Sequence, residues 1–374
     1  MKAVLYSCPF VPPEWIAAHG LVPVRCLGAE SAAATPPDAR AAEAGRGIPK
    51  AGVCPFAREF AAQCLAASAD ESPAAAIFTT ACDQLRRMSE AVAAEGRLSV
   101  FLMNVPATWQ GSGPAALYLS ELRRLGQFLV KLGGHAPSDH GLARVMCEYD
   151  EARRALRQRQ PSMSARQFAA ALADLPQTVA AGVAAVSAAN PATKGRRIDL
   201  HDARFARLVP GETAGETPAT PVSPAGPALA LAGGPLLRRD WRIYDLVEQL
   251  GGRIVLDATE SGELSLPPPL ERRGGGHNAL SELAGLYFGA LPHAFRRPNS
   301  QWFGWLARAL PARCVRGILY VRYVWCDTWH AEAQRLREWS HLPVVEIELA
   351  DDANDLAAIR QRVGAMVEML MAKP

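Results

Sequence analysis

With 374 residues, 49% of them of apolar type, the chain has material for two domains and a sizeable core. Its net charge of +3 arises from 40 basic residues spread among 37 acidic ones, and pairs such as Arg86-Arg87, Arg123-Arg124, Arg153-Arg154 and Arg238-Arg239 read as solvated helix faces, so no nucleic-acid partner is expected. No run of about 18 apolar residues is present, which excludes an expected membrane span, and the eight cysteines have neither the dense spacing of a secreted disulfide scaffold nor any CxxC.

The opening MKAVLYSCPFVPPEW reads as strand and turn rather than signal peptide, because prolines and a glutamate stand where a cleavage region needs small residues; a cytoplasmic protein is the expectation. A short helix from Glu14 to His19, a stop at Gly20 and a strand around Leu21 to Cys26 follow, then an Ala/Pro/Gly-rich loop over 29–50. Cys8 and Cys26 read as small buried hydrophobes in this unit. In GVCPFAREFAAQCLA, Cys54 precedes Pro55, a residue suited to the first position of a helix. In SPAAAIFTTACDQLRRMSEAV an apolar run, Ala74 to Ala81, ends at Cys82-Asp83, and Leu85, Met88 and Val92 supply an apolar helical face. Asp83 is placed to cap that helix, and a cysteine beside a helix N-terminus is favoured as thiolate.

A strand over Leu98 to Val105 meets Pro106, and an amphipathic helix carrying Leu117 to Leu132 ends at Gly133-Gly134. Only helices are predicted between 137 and 190: one over about 141–160, a second over about 164–173, and an Ala/Val/Gly stretch, 178–189, ambiguous between helix and buried connector. The Pro/Gly/Thr-rich segment 209–227 reads as a linker or insertion. It divides an N-terminal α/β domain with a helical extension (1–208, with Cys54 and Cys82) from a C-terminal α/β domain (228–374, with Cys326).

The second half repeats the alternation: strand 228–233, Gly234-Pro235, a helix from Trp241 to Leu250, strand 253–258, helices over 278–290 and 299–309, and then VRGILYVRYVWCDTWHAEAQRLREW. There an apolar β-branched run ends at Cys326-Asp327 and a helical pattern begins at once, the same grammar as at Cys82. Strand LPVVEIEL and a helix from Asp355 to Ala372 close the chain. GGGH at 274–277 lacks the strand before it and the Lys-Ser/Thr after it that a phosphate loop needs. GxSxG and HExxH are absent.

The fold class is therefore α/β: two small parallel-sheet domains with a helical segment between them. Ligands of such sheets sit at the carboxyl ends of the strands, where Cys82 and Cys326 fall, so a cleft between the domains could gather them with Cys54. Three soft thiolates suit an iron–sulfur cluster or a zinc ion. Glu14, His19 and His330 are candidate proton donors or plain helix residues, Trp325 and Trp329 candidate shields or core fillers, and Cys64 and Cys147 read as inert.

The ordered set of IAAHGLVPV, Cys54, CDQLRR, Pro106, Tyr118, Glu121-Leu122, Leu125, Gly233-Gly234-Pro235, LGGRIVLDA with Asp257, CDTW, Arg362 and Glu368 resembles the 2-hydroxyacyl-CoA dehydratase and benzoyl-CoA reductase family, typified by the 2-hydroxyglutaryl-CoA dehydratase D-component. That resemblance implies a 4Fe-4S cluster on Cys54, Cys82 and Cys326, an acyl-CoA substrate, a second family subunit in a homo- or heterodimer, and an ATP-dependent iron–sulfur activator protein. It also implies a mechanism, in which one low-potential electron placed on the thioester carbonyl gives a ketyl radical that expels the 2-hydroxyl. The chain departs from the family pattern at ATESGELSLP, where an Arg is frequent, and at Met366, where an aromatic is. A double-cubane-type small-molecule reductase recruiting Cys8 or Cys26, and a non-catalytic electron-transfer or assembly subunit, are the alternatives.

Overall fold

The computed structural model describes residues 2–29, 52–66, 75–189, 226–270, 278–350 and 356–372. Strands β1 (Ala3–Tyr6), β2 (Val22–Arg25), β3 (Ala75–Thr79) and β4 (Ser99–Met103) form one parallel sheet in the order β2-β1-β3-β4. Strands β5 (Ala228–Gly233), β6 (Arg253–Thr259), β7 (Gly317–Tyr323) and β8 (Val344–Leu349) form a second, in the order β6-β5-β7-β8. The order is the same in each half, counted from its own first strand. Every residue of the central strands β3, β5 and β7 is buried, whereas the edge strands β4 and β8 are partly exposed. Helices cover both faces of the central strands, which is why ALALAG and GILYVRY read as unbroken apolar runs. At the end of β5, Gly233 takes φ 126° and a Cβ there would stand 2.1 Å from the Val321 carbonyl oxygen; only glycine lets the two backbones approach so closely.

The described residues hold helices α1 (Pro13–Ala18), α2 (Pro55–Ala66), α3 (Asp83–Ala94), α4 (Ser112–Lys131), α5 (Asp139–Arg159) and α6 (Ala165–Ala189) in the first half. In the second they hold α7 (Arg242–Gln249), α8 (Ala279–Ala284), α9 (Ser300–Ala312), α10 (Asp327–Trp339) and α11 (Leu356–Met371). On α3 the buried residues include Leu85, Met88 and Val92, one face of a 3.6-residue period, each contributing about 1.5–3 kcal/mol of burial. The sequence pattern gives a helix to Ala173 and leaves 178–189 open between helix and connector; one helix runs through to Ala189 with Pro176 inside it. Phe168, Leu172, Leu175 and Val179 are buried along it, and this packing outweighs the missing proline N–H. The 274–277 GGGH and most of the 209–227 segment lie outside the described residues.

The halves share a core in which Leu5, Phe56, Phe60 and Phe78 cluster with Leu231, Trp241, Val321 and Tyr323. Arg25, at the end of β2, crosses between them, donating to the carbonyl oxygens of Glu260 (3.1 Å) and Ser261 (3.3 Å) and to Ser265 Oγ (3.0 Å). A second crossing is made by α8 and the π-type turn after it, whose Phe288 ring stacks on Tyr118 of α4 with centroids 5.0 Å apart. Beside it lies a closed polar triangle: Arg153 donates to Glu14 (2.6 Å) and to Tyr287 Oη (2.6 Å), and Tyr287 donates to Glu14 (2.7 Å). All three are buried. Removing the carboxylate strands a guanidinium in the core, so Glu14→Ala should cost about 3–5 kcal/mol, whereas Tyr287→Phe should cost about 1 kcal/mol; urea titration followed by circular dichroism checks the ranking.

Candidate functional site

Each of the three cysteines singled out above stands at the N-terminus of a helix. Cys82 is the N-cap of α3 and Cys326 the N-cap of α10, and the Cys54 carbonyl accepts from Arg58 N–H (3.0 Å) at the start of α2. In both sheets the ligand candidate falls three residues past a central strand: β3 ends at Thr79 and β7 at Tyr323. The strand run therefore stops short of Cys326, contrary to the reading of an uninterrupted strand, because Trp325 turns the chain with φ 64°, a left-handed conformation costing a bulky residue about 1–3 kcal/mol. Asp83 and Asp327 are the first helical residues rather than caps; neither cysteine N-cap makes a side-chain capping bond.

These three thiols line one pocket, together with Cys8 after β1 and Pro235 after β5. A sheet of order 2-1-3-4 has its switch point between its first and third strands, where open parallel sheets bind ligands. The lining draws on the segments after β1 and β3 in one sheet and after β5 and β7 in the other, so both switch points contribute walls. Gln84 at the start of α3 accepts from Cys54 N–H at 3.3 Å, tying two of the three helix starts together. None of the eight cysteines is in a disulfide. The helix starts were expected to favour thiolates. Instead burial dominates: it pushes the Cys82 thiol up to about 12 and Cys326 well above the ordinary range, outweighing the N–H groups of Leu85 and Gln84 at Cys82 and of Trp329 at Cys326. Among the described residues no group of three or more His, Cys, Asp and Glu side chains is gathered closely enough to hold one metal ion. A single zinc would draw its ligands to about 2.3 Å of one centre, whereas ligands of a polynuclear cluster bind different iron atoms and stand further apart.

Two polar residues that the sequence did not single out share the pocket: Glu260, just past β6, and His293. Asp257 fixes the turn that carries Glu260. Its carboxylate accepts from Tyr244 Oη (2.7 Å), Thr259 N–H (3.1 Å) and Thr259 Oγ (2.7 Å), and Glu260 N–H donates to the Gly233 carbonyl (3.1 Å). The 291–299 segment carrying His293 is held by Glu332 of α10, which accepts from Arg297 (2.8 Å) and Asn299 (2.6 Å). Burial alone would raise the Glu260 carboxyl. The adjacent His293 ring, the Trp329 indole N–H at 2.9 Å and the Arg25 charge outweigh it and hold the group below the usual carboxylate range. Glu260 could have been found as the polar residue following the apolar strand RIVLDAT; nothing in the local pattern around His293 marks it.

The other candidates scatter. Glu14 is spent in the Arg153 triangle, and His19 packs edge-on against Trp15 and donates from Nδ1 to the Trp15 carbonyl (2.7 Å). His330 is exposed. Trp329 is buried in the pocket wall, whereas Trp325 is 57% exposed. Tyr118 donates to the Phe10 carbonyl (2.6 Å) and Glu121 accepts from Asn104 N–H (2.8 Å), so this pair of motif residues braces the loops after β1 and β4.

Fold and site together define a doubly built parallel α/β protein with a cysteine-lined pocket fed by both sheets. The chain belongs to the family described as 2-hydroxyglutaryl-CoA dehydratase, D-component, whose model matches residues 8–370. The family is that of a component of a dehydratase, and no curated protein matches the chain. No helix among the described residues is long and apolar enough to cross a membrane. Because Cys314 is exposed and the pocket cysteines are buried or half-buried, a maleimide applied briefly to the native protein should modify Cys314 before Cys54, Cys82 or Cys326, an order read by peptide mass spectrometry.

Proposed function

We propose that the chain is an iron–sulfur subunit of a 2-hydroxyacyl-CoA dehydratase or benzoyl-CoA reductase-like enzyme, with a 4Fe-4S cluster on Cys54, Cys82 and Cys326. One observation carries the reading: three cysteines far apart in sequence, each opening a helix, line the same pocket in a chain of this family. The donor set fits such a group, since thiolates are its characteristic ligands and three of them leave one iron open. Bound there, the cluster would supply a single low-potential electron for an acyl thioester and a Lewis-acidic position for a departing oxygen.

The chain's own part is to shape and dry the site. Phe56, Leu85, Pro235 and Tyr323 give the pocket an apolar wall that excludes water. The Leu85, Gln84 and Trp329 N–H groups that face the sulfurs stabilise negative charge there once the thiols are deprotonated by a metal. The partners of this reading are an acyl-CoA substrate, a second family subunit and an ATP-dependent iron–sulfur activator. Cys8 in the same pocket supports a second reading, a double-cubane-type reductase, which iron content separates.

Protein purified without oxygen should contain about four iron and four sulfide per chain, against about eight for a double cubane, and show an electron paramagnetic resonance signal on reduction. Cys54→Ser, Cys82→Ser and Cys326→Ser should each lose most of the iron, while Cys314→Ser keeps it. A colourless, iron-free wild-type protein, or full iron in Cys82→Ser, would defeat the proposal.

A further inference from the structure

The pocket holds a polar pair that a metal site on three thiols does not use. His293 is 4% exposed, and its Nδ1 accepts from the backbone N–H of Phe295 at 2.9 Å. The ring proton therefore sits on Nε2. That nitrogen stands 3.2 Å from Glu260 Oε2, but off the N–H axis, so the buried donor has no aligned acceptor. Glu260 Oε2 already accepts from the Trp329 indole N–H at 2.9 Å. A buried N–H whose neighbouring acceptor lies off its axis is incompletely satisfied, at a cost of up to about 1–3 kcal/mol, and a ligand atom placed on that axis would complete it.

The ring has little freedom to turn away. It lies edge-on to Trp329 with centroids 5.5 Å apart, against Phe10 at 5.3 Å and edge-on to Phe295 at 6.4 Å. Rotating it would also give up the Phe295 bond. One face of the pocket thus presents a fixed donor beside a fixed anionic acceptor. A carbonyl oxygen suits the donor and is repelled by the carboxylate. An ammonium suits the carboxylate and is repelled by the N–H. A hydroxyl satisfies both, accepting from one and donating to the other.

We infer that His293 and Glu260 together recognise an alcohol hydroxyl of the ligand in the thiol pocket, His293 Nε2–H donating to its oxygen and Glu260 accepting its proton in a hydrogen bond. The inference rests on the acyl-thioester reading above and adds to it the residues that select a hydroxylated acyl group over its deoxy counterpart. A hydroxyl bonded to a carboxylate makes a charge-assisted contact, and a site built around it is left with unpaired buried groups when the hydroxyl is missing.

The test is equilibrium binding, without reductant or activator so that nothing turns over, of 2-hydroxybutyryl-CoA and butyryl-CoA to the anaerobically purified protein. Wild type should prefer the hydroxylated thioester by about tenfold or more. His293→Phe keeps the ring and its packing and should abolish that preference with butyryl-CoA affinity unchanged. His293→Gln, which retains an N–H donor, should restore part of it, and Glu260→Gln, which removes the charge, should reduce it. Loss of affinity for both thioesters in equal measure in His293→Phe would mean a packing role and overturn the inference, as would an unchanged preference. Equal affinity of wild type for the two thioesters would overturn it while leaving an acyl-thioester site intact. Binding of neither would sink the site reading along with it.

Discussion

A parallel sheet of order 2-1-3-4 sends its chain to one side after the first strand and to the other after the second, so the carboxyl ends of the first and third strands are left with nothing crossing between them. This chain makes such a sheet twice, and the segments that follow β1, β3, β5 and β7 wall a single pocket. The constraint decides where chemistry can sit. Cys82 and Cys326 need only fall a few residues past a central strand to reach the pocket, and both do.

Much of the surrounding structure maintains that meeting of strand ends. Gly233 lets β5 and β7 come close, Asp257 shapes the turn beneath Glu260, and Tyr118 holds the loop that follows β1. Gly233, Asp257 and Tyr118, all members of the ordered motif set, thus brace the walls of the pocket. The apolar lining has a further effect: burial makes the Cys82 and Cys326 thiols reluctant to ionise alone.

The strand and helix succession was legible because its periodicities are clean. Central strands read as unbroken apolar runs, and Leu85, Met88 and Val92 mark one helical face. The three cysteines were legible for a related reason, since the boundary from apolar run to helical pattern is itself a positional signal. What escaped was long-range. The 178–189 stretch reads equally as helix or connector until burial of Leu175 and Val179 carries one helix through it, and Trp325 reads as strand until its backbone is seen to turn. His293 owes its place to Glu332, which grips Arg297 and Asn299 from a helix some thirty residues away, and local pattern carries no record of such a tether. Glu260 lies in the stretch where the sequence departs from the family pattern it resembles, so the departure coincides with a wall of the pocket.

The crossing made by Tyr287 and Phe288 bears on how the chain is born. Synthesis proceeds from the amino end, and Glu14, Tyr118 and Arg153 leave the ribosome well before the aromatic pair that covers them. Until those later residues emerge, the early sheet waits with an uncovered aromatic face and an ion pair short of its third member. Completion of the first half thus waits on translation of the second, and a nascent chain halted between them leaves that aromatic face exposed.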